Sequence, residues 1–155
     1  MTVREVTVTR DVAAPPERVW AVLTDLDRLP AVLRGVEALH VLTDGPYALG
    51  TRWWETRRVL GVRATEELEV VGNDPSRSTV LASSSRGVDY RTETTLEALV
   101  LPEPGTRVTL RLTAHAPERG GLAGLVGTVT GPLGERVTRR MLTQDLADLA
   151  AAAER

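Results

Sequence analysis

The first 25 residues change from a strand pattern to a helical pattern within a few positions. Residues 6–12, VTVTRDV, alternate as in a half-buried strand. From Pro15 the sequence reads PPERVWAVLTD, and paired prolines suit a helix start, where a missing N–H costs nothing. The apolar residues that follow lie on one side of a helix: Val19, Trp20, Val22 and Leu23. We therefore predict a strand over residues 3–12 that leads directly into a helix over 15–25.

A second short helix is predicted near residues 26–33, and Pro30 should make it irregular. Turn-forming Gly, Pro, Asn and Asp residues then separate stretches with strand character. These predicted strands cover residues 36–43, 51–60, 63–72, 77–85, 88–100 and 106–116. Because the loops between them are short, the strands should form an antiparallel meander.

The end of the chain predicts a long amphipathic helix from Leu133 onward. Its apolar side carries Leu142, Leu146, Leu149 and Ala153, with Val137 and Met141 alongside, and its wet side carries Arg136, Arg139 and Arg140. Residues 119–134 before it are rich in Gly and contain Pro132, which should break or kink a helix. We predict a segment of low intrinsic order that gates one end of a cavity. The alternative is a plain loop-to-helix connection.

Composition narrows the function classes. A chain of 155 residues with 42% hydrophobic content suits one domain over residues 1–155. The absence of Cys excludes disulfides and thiolate chemistry, and because all 19 basic residues are Arg, no lysine is available for a Schiff base. A net charge of -2 argues against nucleic-acid binding. With no signal peptide and no long apolar run, we expect a cytoplasmic protein without stable membrane insertion, as a monomer or homodimer.

No residue pattern predicts a metal or cofactor site. His40 and His115 are far apart in sequence and belong to no cluster with ligand spacing. The glycines match no phosphate-binding loop, and Ser83, Ser84 and Ser85 have no nearby His. The absence of Lys, Ile and Phe is typical of a GC-rich bacterial genome.

The hairpin near Gly61 allows a strand register to be predicted. If Gly61 and Val62 are the central turn residues, one face of the hairpin carries four pairs: Val59 with Ala64, Arg57 with Glu66, Glu55 with Leu68, and Trp53 with Val70. This face is the more apolar, so it should face the helix and bring Arg57 and Glu66 inside together. Such a pair could be a structural ion pair at the sheet rim, an anchor for a polar ligand group, or catalytic. A register error that turns both residues outward is a further alternative.

The later strands predict the rest of the inner wall. Tyr90, Thr92, Thr94 and Leu96 alternate with charged residues and should point inward, giving a wall lined with hydroxyls. The neighbouring strand has an apolar inner face of Val108, Leu110, Leu112 and Ala114. The register of strand 77–85 stays open, since Val80, Ala82 and Ser84 or Leu81, Ser83 and Ser85 are both acceptable inner sets.

The chain resembles the helix-grip superfamily (SRPBCC, START-like), which includes polyketide cyclases and Bet v 1-type proteins. The resemblance begins with a strand that runs into "APPERVW…LTD" and continues through "LGTRWWETRRVLGVRATEELEV", "GVDYRTETTLE", "GTRVTLRLTA" and "RRMLTQDLADL". It implies an α+β fold in which a curved seven-stranded antiparallel sheet grips a long C-terminal helix, with two short helices after the first strand. A ligand cavity lies between sheet and helix in such proteins.

The resemblance leads to two hypotheses about function. The first is a non-enzymatic protein that carries or sequesters a small, mainly hydrophobic ligand such as a lipid, without a cofactor. Its ligand-binding residues would be Trp53, Glu55, Arg57, Glu66, Leu68, Tyr90, Thr92, Thr94, Leu110, Leu112, Leu125, Val129 and Met141. The second is a polyketide cyclase/dehydratase in which Arg57 stabilises an enolate and Glu66 or Tyr90 moves protons. A protein-binding role is a third possibility, although the outer sheet face is mostly charged.

Overall fold

The computed structural model describes residues 2–100, 102–117 and 132–155. Seven strands form one antiparallel sheet in the order β1-β7-β6-β5-β4-β3-β2. The strands are β1 (Thr2–Val12), β2 (Val36–Val41), β3 (Arg52–Val59), β4 (Val62–Asp74), β5 (Ser78–Ser85), β6 (Val88–Leu99) and β7 (Gly105–Ala116). The helices are α1 (Pro16–Thr24), α2 (Leu29–Val32) and α3 (Pro132–Ala153). The sheet curves around α3, so the predicted helix-grip architecture is confirmed.

Proline positions explain where the helices begin. Pro16 starts α1, as predicted, and Pro30 lies in the first turn of α2. α2 covers only four residues instead of the predicted 26–33, and its start next to Pro30 fits the preference of proline for the first helical turn. Pro132 begins α3 and does not break it. Residues 132–134 of the predicted gate segment 119–134 belong to α3, and residues 119–131, including Leu125 and Val129, lie outside the described residues.

The register predicted for the β3–β4 hairpin is wrong by two residues. Its central turn residues are Leu60 and Gly61, with φ of 52° and 78°, and Val59 pairs with Val62. Two consecutive positive φ values make a type I′ turn, which places Gly second and fits the twist of the strands. Arg57 consequently lies opposite Ala64, not Glu66, and the other three predicted pairs shift likewise. Because the shift is even, every side chain keeps its predicted face.

The same kind of turn settles the register of β5. Arg86 and Gly87 also have positive φ, and Ser85 pairs with Val88. Leu81 and Ser83 therefore lie opposite Thr92 and Tyr90 on the inner face, and the alternative set of Val80, Ala82 and Ser84 faces outward. The predicted inner sets of β6 and β7 pair with each other, as Tyr90 with Ala114, Thr92 with Leu112, Thr94 with Leu110, and Leu96 with Val108.

The buried apolar side chains of the described residues form two clusters on the concave face of the sheet. The first lies between β1, β6, β7, α1 and α3 and includes Val6, Val19, Val108, Leu142 and Leu146. The second lies beneath α2 on the other half of the sheet and includes Leu29, Leu33, Val36, Trp53 and Val70. Among the described helices, none is long and apolar enough to cross a membrane.

Candidate functional site

Arg57 is the centre of a polar network on the concave face. Its Nε donates to Glu55 Oε1 at 2.6 Å, and its two Nη groups reach Asp145 on α3 at 3.1 and 3.0 Å. Burial opposes the charge of Arg57, but the charges and hydrogen bonds of Asp145 and Glu55 outweigh it and raise the pKa of Arg57. The network ties the middle of β3 to α3.

Glu55 is held by two donors and is itself buried. Trp53, also buried, donates from Nε1 to Glu55 Oε2 at 3.1 Å, while Arg57 binds the other carboxylate oxygen. Trp53, Glu55 and Arg57 share the inner face because they alternate along β3. Because a buried polar group is costly unless it is hydrogen-bonded, these two donors compensate for the burial of the Glu55 carboxylate.

A second carboxylate of α3 ties the loop before β2 to the helix. Asp148 accepts a hydrogen bond from the backbone N–H of Arg34 and another from Arg34 Nε, both at 2.9 Å. Gln144 donates to the same carboxylate at 2.9 Å. Burial raises the pKa of Asp145, and Arg57 opposes this effect. The negative charge of the nearby Asp148 raises the pKa of Asp145 further. α3 therefore presents one buried carboxylate, Asp148, and one largely buried carboxylate, Asp145, beside its apolar stripe.

Gly35 leaves the room that the Arg57–Asp145 pair occupies. A Cβ at this position would lie 3.2 Å from Arg57 Nη1 and 3.8 Å from Asp145 Oδ1. The absence of a side chain at residue 35 therefore allows the guanidinium to pass between the loop and α3.

Glu66 brings an additional negative charge to this face. It lies directly opposite Glu55 in the β3–β4 pairing and is half-buried. Among the described residues it has no ion-pair partner within 4 Å. Burial raises its pKa, the charge of Glu55 raises it further, and Arg57 opposes both. With Glu55 and Asp145 already bound to Arg57, the polar end of the face carries an excess of negative charge.

Tyr90 and Thr92 continue this polar region on β6. Both are half-buried, and the pKa of Tyr90 is raised by burial and by the charge of Glu66, which Arg86 opposes. The hydroxyl of Tyr90 is therefore protonated near neutral pH and able to donate or accept a hydrogen bond.

The other predicted ligand-binding residues fall into two groups, half-buried and buried. Leu68, Leu112 and Met141 are half-buried, so part of each side chain remains accessible. Thr94 and Leu110 are buried behind them, and Leu110 packs in the first apolar cluster. Trp53 belongs to the second cluster, with only its indole N–H in the polar network. Within the described ranges no group of three His, Asp or Glu side chains is arranged to hold a metal ion.

The sequence analysis missed Asp145, Asp148, Arg34 and Gln144. A signal for Asp145 was present, because it falls three residues after Leu142 and four before Leu149 on the apolar stripe of α3. A carboxylate at such a position needs a partner on the facing sheet, but the sequence does not say which residue that is. Arg34 could not be found this way because it precedes β2 in an irregular segment.

The family model described as "Polyketide cyclase / dehydrase and lipid transport" matches residues 3–154. No curated protein sequence matches the chain. Among solved structures, a protein of Thermus thermophilus is 26% identical, with 97% of both chains covered and a TM-score of 0.70.

Two further solved structures show the same fold at lower identity. The Zhui aromatase/cyclase from a Streptomyces species is 23% identical, with 99% of this chain and 95% of that chain covered and a TM-score of 0.73. A START superfamily protein from Mycobacterium smegmatis is 13% identical, with 97% of both chains covered and a TM-score of 0.74.

Proposed function

The chain belongs to the polyketide cyclase / dehydrase and lipid transport family, and we propose that it binds a small, mainly apolar molecule between the concave face of the sheet and α3. The protein would act as a carrier or sequestering protein in the bacterial cytoplasm, as a monomer or homodimer. The ligand's apolar part would contact Leu68, Leu112 and Met141, which are half-buried on this face or on α3. Burial of that part supplies affinity at about 25 cal/mol per Å² removed from water.

The main support for this proposal is the excess of negative charge at the polar end of the concave face. Arg57 already binds Glu55 and Asp145, while Glu66 remains without a cationic partner among the described residues. A ligand carboxylate placed here would meet excess negative charge, whereas a hydroxyl or amine could donate to Glu66. We therefore infer that the ligand's polar group is a hydrogen-bond donor.

The remaining predicted residues have supporting roles in this proposal. Tyr90 and Thr92 would bond the ligand's polar group together with Glu66, and Arg57 would fix the position of Glu55. Trp53, Thr94 and Leu110 would form the wall behind the ligand, since all three are buried. Leu125 and Val129 remain predicted contacts from the sequence.

Displacement of the neutral fluorescent dye Nile red tests the proposal with three ligands of equal chain length. Decan-1-ol and decylamine should displace the dye at pH 7.5, and decanoate should require a concentration about tenfold or more higher. Glu66→Gln should reduce that difference, because it removes the unpaired charge. If none of the three ligands displaces the dye, the binding role is wrong. If decanoate competes as well as the alcohol, the role of the charge balance is wrong.

The family also supports a second function, that of a cyclase/dehydratase acting on a polyketide-like chain. The observation in its favour is Glu66, whose raised pKa and proximity to Tyr90 suit proton transfer. Against it, the charge of Arg57 is already balanced by two carboxylates, which weakens its stabilisation of an enolate. The test is incubation with a poly-β-ketone thioester, followed by product analysis. An enzyme is favoured if the protein makes cyclisation faster than it is without protein and if Glu66→Gln abolishes this acceleration.

A further inference from the structure

A second candidate site lies on the outer side of α3. It is a depression of about 430 Å³ between the N-terminal half of the helix and the loop before β2. Four arginines line it, Arg34, Arg136, Arg139 and Arg140, together with Thr143 and Gln144. The sequence predicted the three helix arginines as an ordinary solvated face, whereas the fold adds Arg34 and gives the group a concave shape.

The positive charge of this depression is only partly compensated. Arg34 pairs with Asp148, and Arg139 lies 3.9 Å from Glu135. Arg136 and Arg140 have no carboxylate within 4 Å among the described residues. Two like charges four residues apart on a helix destabilise it. The depression therefore holds a local excess of positive charge in a chain whose net charge is -2.

The contacts that these arginines already make leave some of their guanidinium N–H groups available for a ligand. Arg34 uses Nε for Asp148, and its side chain is 73% exposed. Arg139 uses Nη1 for the carbonyl oxygen of Thr7, which positions it beside the edge strand β1. Guanidinium groups bind phosphate through paired N–H donors.

We propose that this depression binds a small molecule carrying a phosphate or diphosphate group. The depression is shallow and open, its volume is enough for a small ligand, and its uncompensated charge calls for a ligand with at least two negative charges. The depression lies on the opposite side of α3 from the proposed apolar ligand site on the concave face of the sheet.

Isothermal titration calorimetry with inorganic pyrophosphate tests this proposal at low salt and at about 150 mM NaCl. Wild-type protein should bind one equivalent, more weakly at the higher salt concentration. The double variant Arg136→Gln/Arg140→Gln should bind about tenfold or more weakly. The matched control Arg77→Gln/Arg91→Gln loses the same charge from exposed residues elsewhere and should bind like wild type. Circular dichroism of each variant verifies folding.

Absence of pyrophosphate binding, or equal loss in both double variants, would overturn the proposal. A separate arm uses vesicles of phosphatidylglycerol, whose headgroups carry the same phosphate chemistry. The protein should stay in the supernatant after sedimentation. If it instead sediments with the vesicles, and only when Arg136 and Arg140 are present, the source of the phosphate is a membrane surface and the small-molecule assignment is wrong.

Discussion

Arg57 and Asp145 face each other across the concave side of the sheet, joined by two contacts of 3.1 and 3.0 Å between guanidinium and carboxylate. The two residues lie 88 positions apart, and their pairing connects β3 to α3. Both side chains are largely buried, so the pair is held away from water. Loss of one partner would leave the other charge without compensation.

Arg57→Ala should therefore lower the free energy of unfolding by about 3–5 kcal/mol at pH 7, because Glu55 and Asp145 stay buried without a cation. Urea unfolding followed by circular dichroism measures the change. The matched control is Arg58→Ala, which breaks a more exposed pair with Glu37 and should cost about 1 kcal/mol or less. If both variants lost the same free energy of unfolding, the Arg57 network would behave like an exposed ion pair, which would contradict the prediction.

Glu66→Gln should increase stability at neutral pH. Burial raises the pKa of Glu66 above its usual 4.5, so the folded state binds this proton more tightly than the unfolded state does. The free energy of unfolding then falls as pH rises from 4.5 through the folded-state pKa, and the penalty stays constant above it. Removal of the charge should raise the free energy of unfolding at pH 7.5 and leave it unchanged at pH 4, and solvent screening at this partly exposed site should keep the gain below about 1 kcal/mol.

Urea unfolding at pH 4, 5.5 and 7.5 measures the effect of Glu66→Gln. Glu5→Gln on the exposed outer face of β1 is the control and should change stability by less than about 0.5 kcal/mol at each pH. A stability gain that is the same at pH 4 and pH 7.5 would contradict the assignment of the effect to ionised Glu66.

Two tyrosine variants separate ligand recognition from stability. Tyr90→Phe should weaken binding of decan-1-ol about fivefold, because it removes one proposed hydrogen bond, and should leave stability nearly unchanged. Tyr47 donates to or accepts from Thr79 at 2.5 Å, so Tyr47→Phe should cost about 1 kcal/mol of stability. Calorimetric titration and urea unfolding measure both quantities. A loss of affinity in Tyr47→Phe alone would place the ligand elsewhere.

Much of the fold could be predicted because its signals are local. Turn residues marked the strand ends, and alternation marked the inner faces of β6 and β7. The β3–β4 register was missed because the prediction placed Gly61 first in the turn, whereas Leu60 occupies that position with a positive φ. An even slip preserves the faces, so the inward positions of Glu55, Arg57 and Glu66 were still correct.

The partners of the charged residues could not be derived in the same way. Arg57 was predicted to pair with Glu66 across the hairpin, but its partners are Glu55 on its own strand and Asp145 on α3. Which helix residue meets β3 depends on how α3 crosses the sheet, and that angle is set by packing of many side chains. The periodicity of α3 could place Asp145 beside the apolar stripe but could not name Arg57 as its partner.

The most direct test of the proposed binding role is an amide ¹H–¹⁵N correlation spectrum recorded during titration with decan-1-ol. Saturable shifts are expected at Glu66, Leu68, Tyr90, Thr92 and Leu112, with little change at the outward-facing Glu67, Arg91 and Arg111. Absence of saturable shifts, or shifts confined to the outer face of the sheet, would contradict the proposed binding role.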